Sequence, residues 1–236
     1  PISASDACDA TLDYTIEAHE ISGGCPTTWL RKWTATDDCG NVSEEVEQYV
    51  QLYDYTPPAI DAPATTTIYL DSNCDYNADP SVTGLPTYSD HCTDQSLLTD
   101  NLTYTDVLSA VTCSADDNTP EGSFTITRTW KTTDYCGNSN EDTQTIYVVD
   151  NSNPFGTVTD VTIDCASYDG DTEYGVASGS DNCDSDVSYS WTTITGRVGA
   201  LGSNDPGCYY YDREYTFVDD CGNDYTTTQR VWLSDT

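Results

Sequence analysis

Basic residues are scarce in this chain: 7 Lys and Arg stand against 41 Asp and Glu, a formal net charge of −34. That excludes a nucleic-acid binder, because phosphate recognition needs a basic face. It also excludes adhesion to an anionic membrane through a polybasic patch. Methionine is absent, and histidine occurs only twice, at His19 and His91. No run approaches the ~20 apolar residues that span a bilayer as a helix. No segment carries a convincing amphipathic helical pattern over three turns. Starting at Pro1 without an initiator Met, the chain reads as a processed product or an excerpt of something longer. What is abundant is cysteine, with 11 residues, together with Thr, Asp and 18 Tyr, a composition that points to an oxidising, extracytoplasmic compartment. At roughly 100–150 residues per domain, 236 residues predict two domains or three small ones.

Internal repetition organises the rest. Three segments align without gaps: WTATDDCGN at 33–41, WKTTDYCGN at 130–138 and YTFVDDCGN at 215–223. Arg31, Arg128 and Arg213 each lie eight residues before the cysteine, and Trp33, Trp130 and Tyr215 lie six before it. Asp37, Asp134 and Asp219 lie two before it. Each copy continues to a Gln that precedes an Asp by six residues, ending at Asp54, Asp150 and Asp235. Upstream, a Ser-Asp-x-Cys signal recurs at 5–8, 89–92 and 180–183. Matches at so many fixed offsets mark tandem repeats. The boundaries that follow are an incomplete repeat at 1–55, lacking its first strand, and full repeats at 56–153 and 154–236. The odd cysteine count has the same origin: three cysteines in the first copy and four in each of the others.

The landmarks sit in segments of period-two alternation rich in Thr, Tyr, Val, Ile and Trp, which is the strand signature. Phe124, Ile126, Arg128 and Trp130 share one face of such a segment, and Cys-Gly-Asn supplies the turn after it. The fold class predicted is all-β: tandem immunoglobulin-like antiparallel β-sandwich modules, stacked as a rod by the proline-stiffened links at 54–58 and 150–154. Strand directions place the second and fourth cysteines of a repeat at one pole and the first and third at the other. The pairs predicted are Cys8–Cys39, Cys92–Cys136 and Cys183–Cys221 at one pole, and Cys74–Cys113 and Cys165–Cys208 at the other. Cys25 is left unpaired, or pairs upstream or with a neighbouring chain.

The pattern of Arg-x-aromatic, Asp-x-Cys-Gly-Asn, then Thr-Gln-x-Ile-x-Val-x-Asp followed by Pro resembles the four-cysteine variety of hyalin-repeat (HYR-like) module, found in tandem in giant secreted surface proteins of Bacteroidota-type bacteria. The resemblance covers nearly the whole chain. It implies an immunoglobulin-like fold, export to the cell surface, and a role in extended adhesins or filaments.

Chemistry beyond this is sparse. The recurrent Arg31, Arg128 and Arg213 lie at core parity and read as structural guanidiniums. Each is expected to stack on a ring and pair with the Asp of Asp-x-Cys or of Ser-Asp-x-Cys. No recurrent nucleophile–base set appears, so no catalytic residues are expected and the chain is read as no enzyme. Calcium is the one candidate ion, since acidic clusters at 71–79, 181–186, 116–117 and 169–171, and the junction residues Asp54, Asp150 and Asp235, offer oxygen ligands, yet none matches EF-hand spacing. The alternative is a solvated acidic surface, and no individual metal ligand is assigned. Tyr210 is expected to be an exposed aromatic. The leading reading is a structural repeat segment of a long extracellular cell-surface fibre or filament, giving mechanical reach and assembly for adhesion. Its partners are neighbouring repeats or copies of the same protein. The alternative is an adhesin whose modules bind glycan or protein ligands directly.

Overall fold

Alternation of small polar and apolar side chains builds strands almost throughout. The computed structural model describes residues 2–113, 122–169, 172–184, 186–195 and 209–234. The first copy contributes β1 (Asp13–Ser22), β2 (Thr27–Thr36) and β3 (Val46–Leu52), an antiparallel sheet in the order β1-β2-β3. The second contributes β4 (Ala59–Asp61), β5 (Thr66–Tyr69), β6 (Thr87–Ser89), β7 (Thr103–Leu108), β8 (Phe124–Thr133) and β9 (Ser139–Val149). The third repeats them as β10 (Phe155–Val158), β11 (Val161–Asp164), β12 (Ala177–Ser180), β13 (Ser188–Thr195), β14 (Tyr209–Val218) and β15 (Asp224–Ser234).

Each full copy therefore has a four-stranded sheet, β5-β9-β8-β7 or β11-β15-β14-β13, and a two-stranded one, β4-β6 or β10-β12. This is the two-sheet, immunoglobulin-type sandwich expected. The first long strand runs parallel to the last, β5 with β9 and β11 with β15, while the two-stranded sheets and the β13-β14-β15 ladder are antiparallel. Two short helices, α1 (Pro80–Thr83) and α2 (Gln95–Asp100), fill connections in the second copy.

By contacts the chain divides into two compact units: 1–62 with 86–105 and 129–142, and 63–85 with 106–128 and 143–236. In the first unit, Leu98 of α2 and Trp130 of β8 are buried, Tyr104 packs its ring 5.1 Å from that of Trp130, and Thr132 donates its hydroxyl to the Leu98 carbonyl at 3.0 Å. The second unit holds an apolar cluster of Ile68, Leu70, Phe124, Ile126, Ile146, Val148 and Cys183. In the same unit Tyr215, Phe217, Val231 and Leu233 form the interior of the third copy. Gly156 permits that packing, because a Cβ there would lie 2.1 Å from the Phe217 ring. The strict alternation of burial along β8 follows the parity read from the sequence.

Candidate functional site at the repeat junctions

The recurring turn is built alike in all three copies. Asn41, Asn138 and Asn223 each donate their backbone N–H to one carboxylate oxygen of Asp37, Asp134 or Asp219 and their side-chain amide to the other, all at 2.7–2.8 Å. These bonds hold the Asp37 carboxyl below the usual carboxylate range, the Asn41 side chain contributing most. The glycines between, Gly40, Gly137 and Gly222, adopt φ of 86–88°, a left-handed conformation that costs a side chain about 1–2 kcal/mol. Asn138 and Asn223 also reach the carbonyls of Asp54 and Asp150, the residues that close the preceding copy, at 3.1 and 3.4 Å. The Cys-Gly-Asn turn of one repeat thus grips the end of the repeat before it.

The bridges follow the same logic and differ from the pairing predicted. Cys25 bonds Cys136, Cys74 bonds Cys183 and Cys113 bonds Cys221, over sequence separations of 111, 109 and 108 residues. Every one joins a repeat to the next. The third cysteine of a copy takes the fourth of its successor, twice, and the first takes the second. The predicted pairs Cys92–Cys136, Cys74–Cys113 and Cys183–Cys221 are replaced. Cys8, Cys39 and Cys92 carry free thiols, so Cys8–Cys39 is not formed, whereas Cys25 is paired. Cys165–Cys208 lies outside the described residues, as do Asp116, Asp117, Asp171 and Asp235.

The physical reason is that cysteines at one pole of a repeat meet the opposite pole of the adjoining one. There the Cα atoms stand 4.6–5.2 Å apart, within disulfide reach. Strand direction sorts cysteines to poles, but it does not decide whether a bond closes within a pole or across a junction.

The arginines divide. Arg128 is buried and donates Nε–H and Nη2–H to the two carboxylate oxygens of Asp106 on β7, both at 2.8 Å. It also donates to the Thr83 hydroxyl at 2.9 Å and the Ala78 carbonyl at 2.7 Å. Its acid is thus Asp106 rather than either recurrent Asp. Arg213, fully buried, lies 4.0 Å above the Trp191 ring and donates to the Thr172 carbonyl at 2.9 Å. Arg31 is exposed.

Two buried residues with structural roles escaped the sequence reading. Gln144 and Gln229 each bond carbonyls across their repeat, Thr83 for the one, Thr159 and Tyr174 for the other, at 2.6–2.7 Å. Their recurrence in the Gln-x-x-x-x-x-Asp motif was the available signal. Tyr210 is partly buried, not an exposed ring: Arg230 lies 4.1 Å above it and Trp232 packs at 5.2 Å.

Two acidic clusters occupy equivalent places. Asp54, Asp90 and Asp134 bring carboxylate oxygens within 4.8 Å of one another, and Asp150 and Asp181 do so beside Cys183. In each cluster the Asp that ends one copy meets the Ser-Asp-x-Cys acid of the next. Burial, then the charges of Asp181 and Asp219, pushes the Asp150 carboxyl above its usual range. Beside the first cluster, a cleft of about 640 Å³ is lined by Trp29, Tyr53, Asp54, Asp94 and Tyr135.

No family model matches the chain, and no curated protein matches it. Among solved structures it is similar to protocadherin gammaB7 EC3-6 (12% identity, 94% of this chain and 66% of that one, TM-score 0.40). It is similar also to mouse cadherin-23 EC22-24 (13%, 100% and 90%, TM-score 0.34) and Drosophila N-cadherin EC1-4 (14%, 94% and 67%, TM-score 0.33). The chain spans 67%, 66% and 45% of the first three structures it matches. Similarity at this level identifies neither family nor activity.

Proposed function

We propose that this chain is a structural segment of a long extracellular, cell-surface fibre or filament, built from HYR-like modules at 1–55, 56–153 and 154–236 and serving adhesion through mechanical reach and assembly. It has no catalytic role in this reading. The observation that carries it is that the three bridges among the described residues run between successive repeats. An intra-repeat bridge stabilises one domain, whereas an inter-repeat bridge resists separation of two. The pairing rule gives the free thiols a purpose. Cys8 and Cys39 hold second and fourth positions, which would take the first and third cysteines of an adjoining repeat, and Cys92 would take a first-position cysteine. Each bond forms as two thiols pass two electrons and two protons to an oxidant of the disulfide class. The dense negative charge keeps such fibres from clumping. The aromatic-lined cleft beside Tyr53 and Tyr135 favours, as a second reading, direct binding of a glycan or protein ligand.

Pulling the chain from its ends tests the mechanical reading. With the bridges intact the shortest covalent path runs from Pro1 to Cys25, from Cys136 back to Cys113, and from Cys221 to Thr236. That is roughly 60 residues, or about 210 Å fully extended at about 3.5 Å per residue. The reduced chain should reach about 800 Å. Bridges closed within repeats would allow about 400 Å, and an oxidised chain extending that far would overturn the proposal.

A further inference from the structure

The Asp150–Asp181 cluster has a feature that acidity alone does not explain. Asp150 is 4% exposed, and its Oδ2 is buried with no hydrogen-bond partner. The Oδ2 of Asp181 is likewise buried and unpartnered. The other oxygen of each is engaged: Ser152 donates its backbone N–H to Asp150 Oδ1 at 3.0 Å, and Cys183 to Asp181 Oδ1 at 2.7 Å. The two carboxylates bring oxygens within 4.8 Å of one another. Only the backbone part of this arrangement recurs one junction earlier, where Thr56 donates to Asp54 Oδ1 at 2.9 Å and Cys92 to Asp90 Oδ1 at 2.8 Å, and among the described residues no oxygen of Asp54, Asp90 or Asp134 is left buried and unpartnered. There the third acid is Asp134, itself buried and fixed by Asn138; its equivalent near Asp150 is Asp219, fixed by Asn223.

Buried carboxylates without a counter-charge are costly, and in proteins they are paired, protonated or bound to metal. Among the described residues no salt bridge reaches Asp150 or Asp181, and Lys32, Arg128, Lys131 and Arg230 are engaged with other acids. The Cys183 sulfur is tied to Cys74 and is no ligand, so the available donors are oxygens. An all-oxygen set of carboxylates suits a hard cation. Calcium accepts six to eight such ligands in irregular geometry, where magnesium demands a near-ideal octahedron.

We propose that the junction between the second and third repeats binds one calcium ion through Asp150 and Asp181. Calcium would then close a junction noncovalently where a bridge closes it covalently. The site stands on its own geometry and does not depend on the fibre reading.

The test is calorimetric titration of the full, chelator-stripped chain with calcium chloride in 0.15 M sodium chloride, which screens diffuse binding to the acidic surface. The wild type should show one saturable site. Asp150→Asn and Asp181→Asn should each remove it, weakening it about tenfold or more. Asp13→Asn, on exposed β1, should keep it. Asparagine keeps the oxygen that accepts the Ser152 or Cys183 N–H, so the variants should fold. Unfolding with chelator should begin no lower for Asp150→Asn than for wild type, with calcium raising the wild-type midpoint more. Non-saturating uptake by the wild type, or variants with unchanged stoichiometry, would overturn the proposal, and neither result would touch the pulling experiment.

Discussion

Replacing Cys113 and Cys221 together by alanine removes one bridge and leaves Cys74–Cys183 spanning the same two repeats. A separation of 108 residues puts the loss at about 4–5 kcal/mol in the chain-entropy model. With a urea dependence of about 2 kcal/mol per molar, the midpoint should fall by roughly 2 M. Urea unfolding followed by Trp fluorescence reads this, since Trp191 and Trp232 lie in the affected unit. The control is Cys92→Ala. Cys92 is a free thiol, so its loss should cost under about 0.5 kcal/mol, although the repeat pattern makes it the natural partner of Cys136. Cys136→Ala, which breaks the Cys25 bridge, should cost several kcal/mol. Equal costs for Cys92→Ala and Cys136→Ala would refute the junction pairing, as would a Cys92–Cys136 peptide in a non-reducing digest.

Arg128→Leu should cost about 2 kcal/mol, because it removes the hydrogen bonds of a buried guanidinium to Asp106, Thr83 and the Ala78 carbonyl, while Arg31→Leu, at an exposed position, should stay within about 0.5 kcal/mol. Equal effects in chemical unfolding would contradict the division between copies. The Cys92 thiol is pushed up, chiefly by burial and then by Asp54 and Asp90. Its alkylation by iodoacetamide should therefore lag behind that of an ordinary free cysteine at pH 8, and the lag should close as pH rises into the thiolate range. Alkylation at the ordinary rate at pH 8 would contradict that electrostatic environment.

Much of this molecule was legible in its sequence. Period-two alternation fixed which face of β8 and β14 is buried, because residue parity on a strand is a local property. Cys-Gly-Asn marked the turn, because only certain residues accept its left-handed backbone. The Asp two residues before the cysteine and the Asn two after it recur together, and the structure shows why: one cages the other.

Partner choice did not follow. Cys136 could bond Cys92 in its own repeat or Cys25 in the one before, and the sequence treats these alike. Which sulfur is near depends on how closely two repeats approach, a property of packing between modules that no strand records. The acid facing Arg128 was hidden for the same reason, since Asp106 lies on a neighbouring strand whose register the repeat motif does not set. Strand parity and the recurring turn are local and can be read along the chain. That cysteines and terminal aspartates meet across junctions emerges only from packing, because contact between repeats is made by side chains far apart along the chain.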